Sequence, residues 1–285
     1  MAGDRLIMLG TKGGPRLTTG SSWPTSMVLE VAGRPYIIDA GMGVTRQFVE
    51  AGYTLQQVHT IILTHHHSDH NLELGPLLHT VWVSSRFREI RVYGPPGLFN
   101  LVEKFLASQS FDIGIRISDE KLADIAEMIK PCEYTEGRVF ADDLVEVTSL
   151  RVRHPPVEHC YALKFRFSGK TVVISSDTRY FPPLMEFARG ADILVHEVMH
   201  REGVERMCAR LSEVKPNLLQ HMIASHTFGD DVGRIAEGAG VGHLVLNHFT
   251  PSDEPEIDAE AFQRLVRQTW GGELTVPCDL AEIRL

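Results

Sequence analysis

The stretch Ile61-Ile-Leu-Thr-His-His-His-Ser-Asp-His70 constrains this chain more than any other. Three apolar residues end at Thr64, and the chain then turns abruptly polar. A short apolar run that stops this way reads as a buried strand entering a loop. His65, His67, Asp69 and His70 fall within six positions of one another there. Residues two apart in an extended segment point the same way, so His65 and His67 can converge on one metal ion while the turn sends Asp69 and His70 towards a second. Imidazole nitrogens with a carboxylate oxygen suit Zn²⁺, with Fe or Mn as alternatives. The bland alternative is a solvated His-rich loop, but compositional His tracts rarely set an Asp at this spacing behind a buried strand.

Further donors should then also lie at strand ends, and three do. His154 follows Leu150-Arg-Val-Arg153, Asp177 follows Val172-Val-Ile-Ser-Ser176, and His248 follows Leu244-Val-Leu-Asn247. Each alone reads as a satisfied strand-end polar group; the repeated placement is the signal. Asp39, after Tyr36-Ile-Ile38, is read as a cap or as support for a ligand.

The rest of the pattern alternates strands and helices. Strands are expected over 5–9, 91–93, 145–152, 162–167, 171–175, 193–196 and 244–246, with a hairpin of 27–31 and 35–39. Helices are expected over 45–51, 72–80, 98–108, 119–129 with Ser118 as N-cap, 214–224, 230–238 and 258–270. Residues 11–22 form a Gly-, Thr- and Ser-rich loop, read as a turn or an anion cradle. No linker or short repeat divides the chain, so residues 1–285 are read as one domain, an α/β fold with helices outside two sheets. No run of 18 apolar residues points to a membrane span, and no signal-peptide pattern opens the chain. The four cysteines are widely spaced and read as reduced core thiols of a cytoplasmic protein. A net charge of −9 disfavours generic nucleic-acid binding.

Thr64-His-His-His-Ser-Asp-His70 resembles the His-x-His-x-Asp-His signature of the metallo-β-lactamase fold, and the resemblance runs along nearly the whole chain. Gly10-Thr-Lys-Gly-Gly14 and Ile38-Asp-Ala-Gly41 resemble its first two Gly loops. Ser175-Ser-Asp-Thr178 and Asn247-His-Phe249 resemble the bridging-Asp and terminal-His segments of the tRNase Z and arylsulfatase branch. The resemblance implies a four-layered αβ/βα sandwich and two Zn²⁺. One ion would be held by His65, His67 and His154 and the other by Asp69, His70 and His248, with Asp177 bridging. Val195-His-Glu-Val198 and Ser225-His-Thr227 resemble the branch's proton-donating segments, which implies a Glu197–His226 pair acting beside Asp69. A homodimer is a further expectation of the resemblance.

For substrate contact, His159, five residues past His154, and the aromatics Trp82, Tyr180, Phe181 and Phe249 are the candidates, with Trp23 and Phe111 behind them. Core lids are their bland role. His59, His66, His79, His196, His200, His221 and His243 are read as structural.

The departures set the substrate expectation. tRNase Z carries a long basic arm between the third His and the bridging Asp. Here 22 residues (155–176) separate them, and they read as a hairpin. Ser68 replaces a Gly of the signature, and Thr250-Pro-Ser252 replaces an Arg-Tyr after the terminal His. The expectation is a dinuclear zinc-dependent hydrolase of small phosphodiesters, aryl sulfates or lactones, with a small-molecule partner and neither membrane nor nucleic acid. The alternatives are a tRNA 3′-processing endonuclease and a non-hydrolytic di-iron redox protein. The latter usually carries Glu where this chain has His67, together with a flavin domain.

Overall fold

The computed structural model describes residues 3–84, 88–252, 254 and 256–285. In chain order its elements are β1 Arg5–Gly10, β2 Ser26–Val31, β3 Arg34–Ile38, α1 Val44–Glu50, β4 Thr60–Ile62, α2 Ser68–Asn71, α3 Leu74–Ser84, β5 Ile90–Gly94, α4 Leu98–Ser108, α5 Ser110–Asp119, α6 Ile125–Met128, β6 Ile129–Glu133, β7 Gly137–Ala141, β8 Glu146–Arg151, β9 Tyr161–Phe167, β10 Lys170–Ile174, α7 Pro183–Phe187, β11 Ile193–Met199, α8 Arg201–Arg210, α9 Leu218–Ser225, α10 Gly229–Ala239, β12 His243–Thr250, α11 Ala259–Val266, β13 Glu273–Thr275 and β14 Glu282–Arg284.

Strand side chains alternate faces, and here both faces are apolar. Leu6 and Met8 of β1, Met27 and Leu29 of β2, and Tyr36 and Ile38 of β3 point into a central core. Ile7, Leu9, Val28 and Ile37 point to an outer core shared with helices α1, α3 and α4. The second half repeats the scheme. Tyr161, Leu163, Phe165 and Phe167 of β9 enter the same central core, while Leu194, Leu244 and Leu246 face α7, α10 and α11. Two seven-stranded sheets result, ordered β14-β1-β2-β3-β4-β5-β6 and β13-β12-β11-β10-β9-β8-β7. They pack face to face with helices outside, the αβ/βα arrangement expected. Gly233 lets α10 and α11 touch, since a Cβ there would lie 2.7 Å from the Val266 carbonyl oxygen.

Both two-residue hairpins follow the expectation. Ala32-Gly33 and Ser168-Gly169 all take positive φ, as a tight turn matched to strand twist requires. Residues 155–176 are indeed strand, turn and strand around a short loop.

Three expectations are corrected. Residues 119–129 are not one helix. Lys121 adopts φ 57°, which ends α5. Ser118 lies inside α5, donating to the Ile115 carbonyl, and the one-turn α6 is capped by Asp124 instead. Its apolar trio Leu122, Ile125 and Met128 mimics a helical period, but Ile129 leaves to pair with Ile90 as an edge strand. Second, α8 is a helix the sequence reading does not contain, because half of Arg201–Arg210 is charged and the helix buries only Gly203, Val204 and Cys208. Third, the cysteines are not all core: Cys160 and Cys208 are buried, but Cys132 and Cys278 are exposed. Among the described residues no helix is long and apolar enough to cross a membrane.

Candidate metal centre

The expected donors come together where strands of both sheets end. His65, His67, Asp69 and His70 follow β4, His154 follows β8, Asp177 follows β10, and His248 lies within β12. How His248 reaches the site is a matter of register. Glu197 pairs with Asn247 and Val198 with Phe249, so His248 is a bulged residue, at φ 49°. The bulge turns its ring off the strand's ordinary alternation and towards the ligands. Asp39 and Ser176 also hold positive φ beside the site. Such unfavourable backbone persists only where the surroundings enforce it.

Two groups of ligand-type atoms share Asp177, and a third joins Glu197, His226 and His248. His65, His67, His154 and Asp177 make one; Asp69, His70, Asp177 and His248 make the other, each with its atoms within 4.8 Å of one another. Asp177 Oδ2 lies 3.1 Å from His248 Nε2, 3.4 Å from His70 Nε2 and 3.8 Å from both His65 and His154 Nε2. All but His67 are buried.

The surrounding groups fix ring orientation. His70 Nδ1 donates to Asp39 Oδ2 at 2.8 Å, and Asp39 also accepts from Thr64 N and Oγ1. His154 Nδ1 donates to the Ser225 carbonyl at 2.9 Å. Each bond leaves Nε2 facing the centre, as ligating histidines require. Gly14 N donates to Asp69 Oδ2 at 2.7 Å, which brings the 11–22 loop over the site. Gly13 is needed there, since a Cβ would stand 2.8 Å from the His248 ring. Asp279 anchors the same loop, accepting from Thr11 N, Thr11 Oγ1 and Trp23 N.

These residues fit metal ions. Buried polar atoms ordinarily have partners, yet His65 Nε2, His70 Nε2 and Asp177 Oδ1 have none. The charges carry the same message. Burial pushes His65 well below the usual imidazole range and His154 to about 4. At His70 and His248 burial is outweighed by facing carboxylates, Asp177 foremost, and His248 rises to about 10. Burial would raise Asp69 and Asp177, but facing His70 and His248 hold both well below the usual carboxylate range. Two ionised carboxylates thus sit in a buried centre and demand positive charge. Cations held there would supply it and leave the imidazoles neutral, as ligands must be.

His226 Nδ1 donates to Glu197 Oε2 at 2.8 Å, and Glu197 Oε1 accepts from Thr178 N. Burial lowers the His226 pKa, but Glu197 more than restores it, and the ring stays above its ordinary value.

The centre opens into a cavity of about 590 Å³. His67, Asp69, Asp177, His226 and His248 form its floor, the 11–22 loop one wall and the α8–α9 hairpin the other. None of the five expected substrate contacts lines it. Trp82 donates Nε1–H to the Ala123 carbonyl in the outer core of the first sheet. Phe249 packs on Phe262 and Phe181 on the same outer core of the second sheet. Tyr180 is exposed, and His159 contacts the Tyr161 hydroxyl. Of the reserves, Phe111 is exposed and Trp23 packs against Gly43. The cavity instead meets Met207, Leu211, Leu218 and Met222, together with His221, so His221 faces the cavity rather than holding the purely structural place expected of it. The apolar spacing Val204, Met207, Cys208, Leu211 was the available signal.

Residues 5–268 match the family model described as "Anti-Pycsar protein Apyc1". The chain belongs to that family. It is also 31% identical, over 88% of its length and 85% of the relative's, to ribonuclease Z of Mycolicibacterium gilvum. Among solved structures it superposes on the metallo-β-lactamase fold protein YhfI of Bacillus subtilis with a TM-score of 0.72, covering 99% of this chain and 100% of that one at 19% identity. Human tRNase Z, short form, follows at 0.68, covering 98% of each chain at 19% identity. The chain thus sits in the tRNase Z-like branch of the metallo-β-lactamase fold and is a metal-dependent hydrolase of that fold.

Proposed function

We propose that the chain is a dinuclear zinc-dependent phosphodiesterase of small molecules. The carrying observation is the pair of ligand groups that share Asp177 at the floor of a cavity of about 590 Å³, a size suited to a small ligand. His65, His67 and His154 would hold one ion, Asp69, His70 and His248 the other, and Asp177 would offer an oxygen to each. Bound zinc supplies a lowered water pKa and Lewis-acid charge at the reacting oxygen.

The chain's own residues do the rest. Asp69, fixed by Gly14 N–H, orients the attacking water and accepts its hydrogen bond. His226 carries the proton: Nδ1 is engaged by Glu197, which leaves Nε2 to deliver a proton to the departing oxygen. The hairpin wall and the 11–22 loop flank the floor where that transfer takes place.

A phosphodiester is favoured over a sulfate or lactone because the curated relatives are named ribonuclease Z, while the family description names no substrate. The same name supports a second reading, precursor tRNA. Against it stand the short 155–176 hairpin, which leaves no basic arm, and the net charge of −9.

Elemental analysis of unchelated protein should give about two zinc ions per chain, and bis(p-nitrophenyl) phosphate should be cleaved faster than p-nitrophenyl sulfate or a lactone. One ion or none, or a preference for the sulfate, would defeat this reading. Sub-micromolar, salt-sensitive binding of precursor tRNA would support the second one.

A further inference from the structure

The residue ahead of the shared carboxylate holds a conformation that serine seldom takes. Ser176 follows β10 at φ 56°, in the left-handed region, where Cβ crowds the next carbonyl oxygen. Glycine would sit there without strain. The aim of this turn matters, because it places Asp177 Oδ2 between 3.1 and 3.8 Å from four imidazole nitrogens. Asp177 Oδ1, like His65 Nε2 and His70 Nε2, is buried with no partner, which suits all three atoms to ions. Backbone strain persists only where neighbours enforce it, and the neighbours here can be named.

Ser175 Oγ donates to the Ser176 carbonyl at 2.6 Å and accepts from Glu197 N at 3.1 Å. Cys160, buried just ahead of β9, meets the same turn from the neighbouring strand. Its Sγ lies 3.2 Å from Ser176 Oγ and 3.2 Å from the Asp177 carbonyl oxygen. A thiol has one proton, and a carbonyl can only accept. Cys160 S–H therefore donates to the Asp177 carbonyl, and the Ser176 hydroxyl donates to Sγ. The direction of both bonds is fixed, and together they bracket the strained residue. Packing alone asks for none of this, since Val152, Ala162 and Val173 fill the same core without a polar side-chain atom.

We propose that Ser176 is a positioning residue of the metal centre, its hydroxyl held by the Cys160 thiol so that the turn stays left-handed and presents the Asp177 carboxylate to the ions. This rests on the reading of the donors as a zinc centre and makes no use of the bond cleaved.

The test measures zinc affinity, by competition with a chromophoric chelator, and the urea midpoint of the chelated protein. Ser176→Ala keeps the crowded Cβ and loses the clamp, so at least one ion should bind about 10-fold more weakly. Ser176→Gly loses the clamp and the crowding together, and should stay within about threefold of the parent. Cys160→Ala should cost at least as much as Ser176→Ala, and adding Ser176→Ala to it should cost little more, because one bond is then removed twice. Cys160→Ser can still donate and accept, and should restore most of the affinity. The two Ser176 variants decide the matter if the Cys160 variants do not fold. Equal affinities in Ser176→Ala and Ser176→Gly would overturn the proposal, as would a Cys160→Ala protein whose urea midpoint falls while its zinc affinity does not. A parent that takes up no zinc would sink the zinc reading and this inference with it, whereas a parent that holds two ions while the Ser176 variants behave alike sinks the inference alone.

Discussion

Asp177 stands where four imidazoles meet. A carboxylate offers an anionic oxygen to each of two ions, whereas an amide lacks the charge. Asp177→Asn should therefore lose at least one ion per chain and most turnover. Asp39→Asn, which only loosens His70, should keep both ions at high zinc with affinity reduced about 10–100-fold. Metal content and turnover at matched zinc decide, and full occupancy with unchanged turnover in the Asp177 variant would remove its bridging role. His226→Ala should retain both ions yet slow alkyl leaving groups about 10²–10⁴-fold, with aryl groups much less affected. The pH dependence has a definite sign. The donating form is the protonated one, and its pKa lies above the ordinary histidine value. Turnover of alkyl diesters should fall as pH rises through that pKa, and this limb should be missing for aryl diesters. Equal slowing across leaving groups would exclude His226 as donor.

At the scale of elements, the α8–α9 hairpin depends on a titratable cap. His200 Nδ1 accepts from Gly203 N at the start of α8. Burial is the main cause that holds its pKa below the ordinary value; Arg206 and Arg264 lower it further, and Glu202 partly opposes them. A depressed folded pKa means the cap's contribution to stability is fully present above the unfolded value near 6.5, declines as pH falls from there, and is gone once pH has fallen through the lowered folded value, where the protonated ring no longer accepts. Asn caps without titrating. His200→Asn should match the parent's stability at pH 7.5 and exceed it by about 1 kcal/mol at pH 5.5, in urea titrations at both values. A difference that does not change with pH would exclude the cap as its source. The same element marks where legibility ended. The ligands were readable because a polar residue after an apolar run is a local signal, as at Thr64 and Ser175. The bulge that aims His248 depends on register against β11, which no local pattern encodes. The aromatics misled for the same reason: Trp82 and Phe249 lie near the ligands in sequence, but the helix face and the strand alternation send them into the outer cores.

Over the whole molecule, each sheet is built almost entirely from one half of the chain, while ligands run from residue 65 to residue 248. Neither half alone can hold the centre, which is why its formation reports complete folding. The exception is β14, which leaves the second half to pair with β1, Arg5 opposite Arg284. That one pairing brings the two ends of the described chain side by side, at the far end of β1 from the loop that covers the metals. Between those two paired residues the described chain runs as a ring with a seam. A short peptide should close the seam, and the ring should reopen in the Ser168-Gly169 turn to give a circular permutant that retains both ions, as metal analysis would show. Loss of both ions would mean that the seam has to stay open. If the permutant holds, the order in which the protein's parts are synthesised is a matter of history, and the arrangement around Asp177 is indifferent to it.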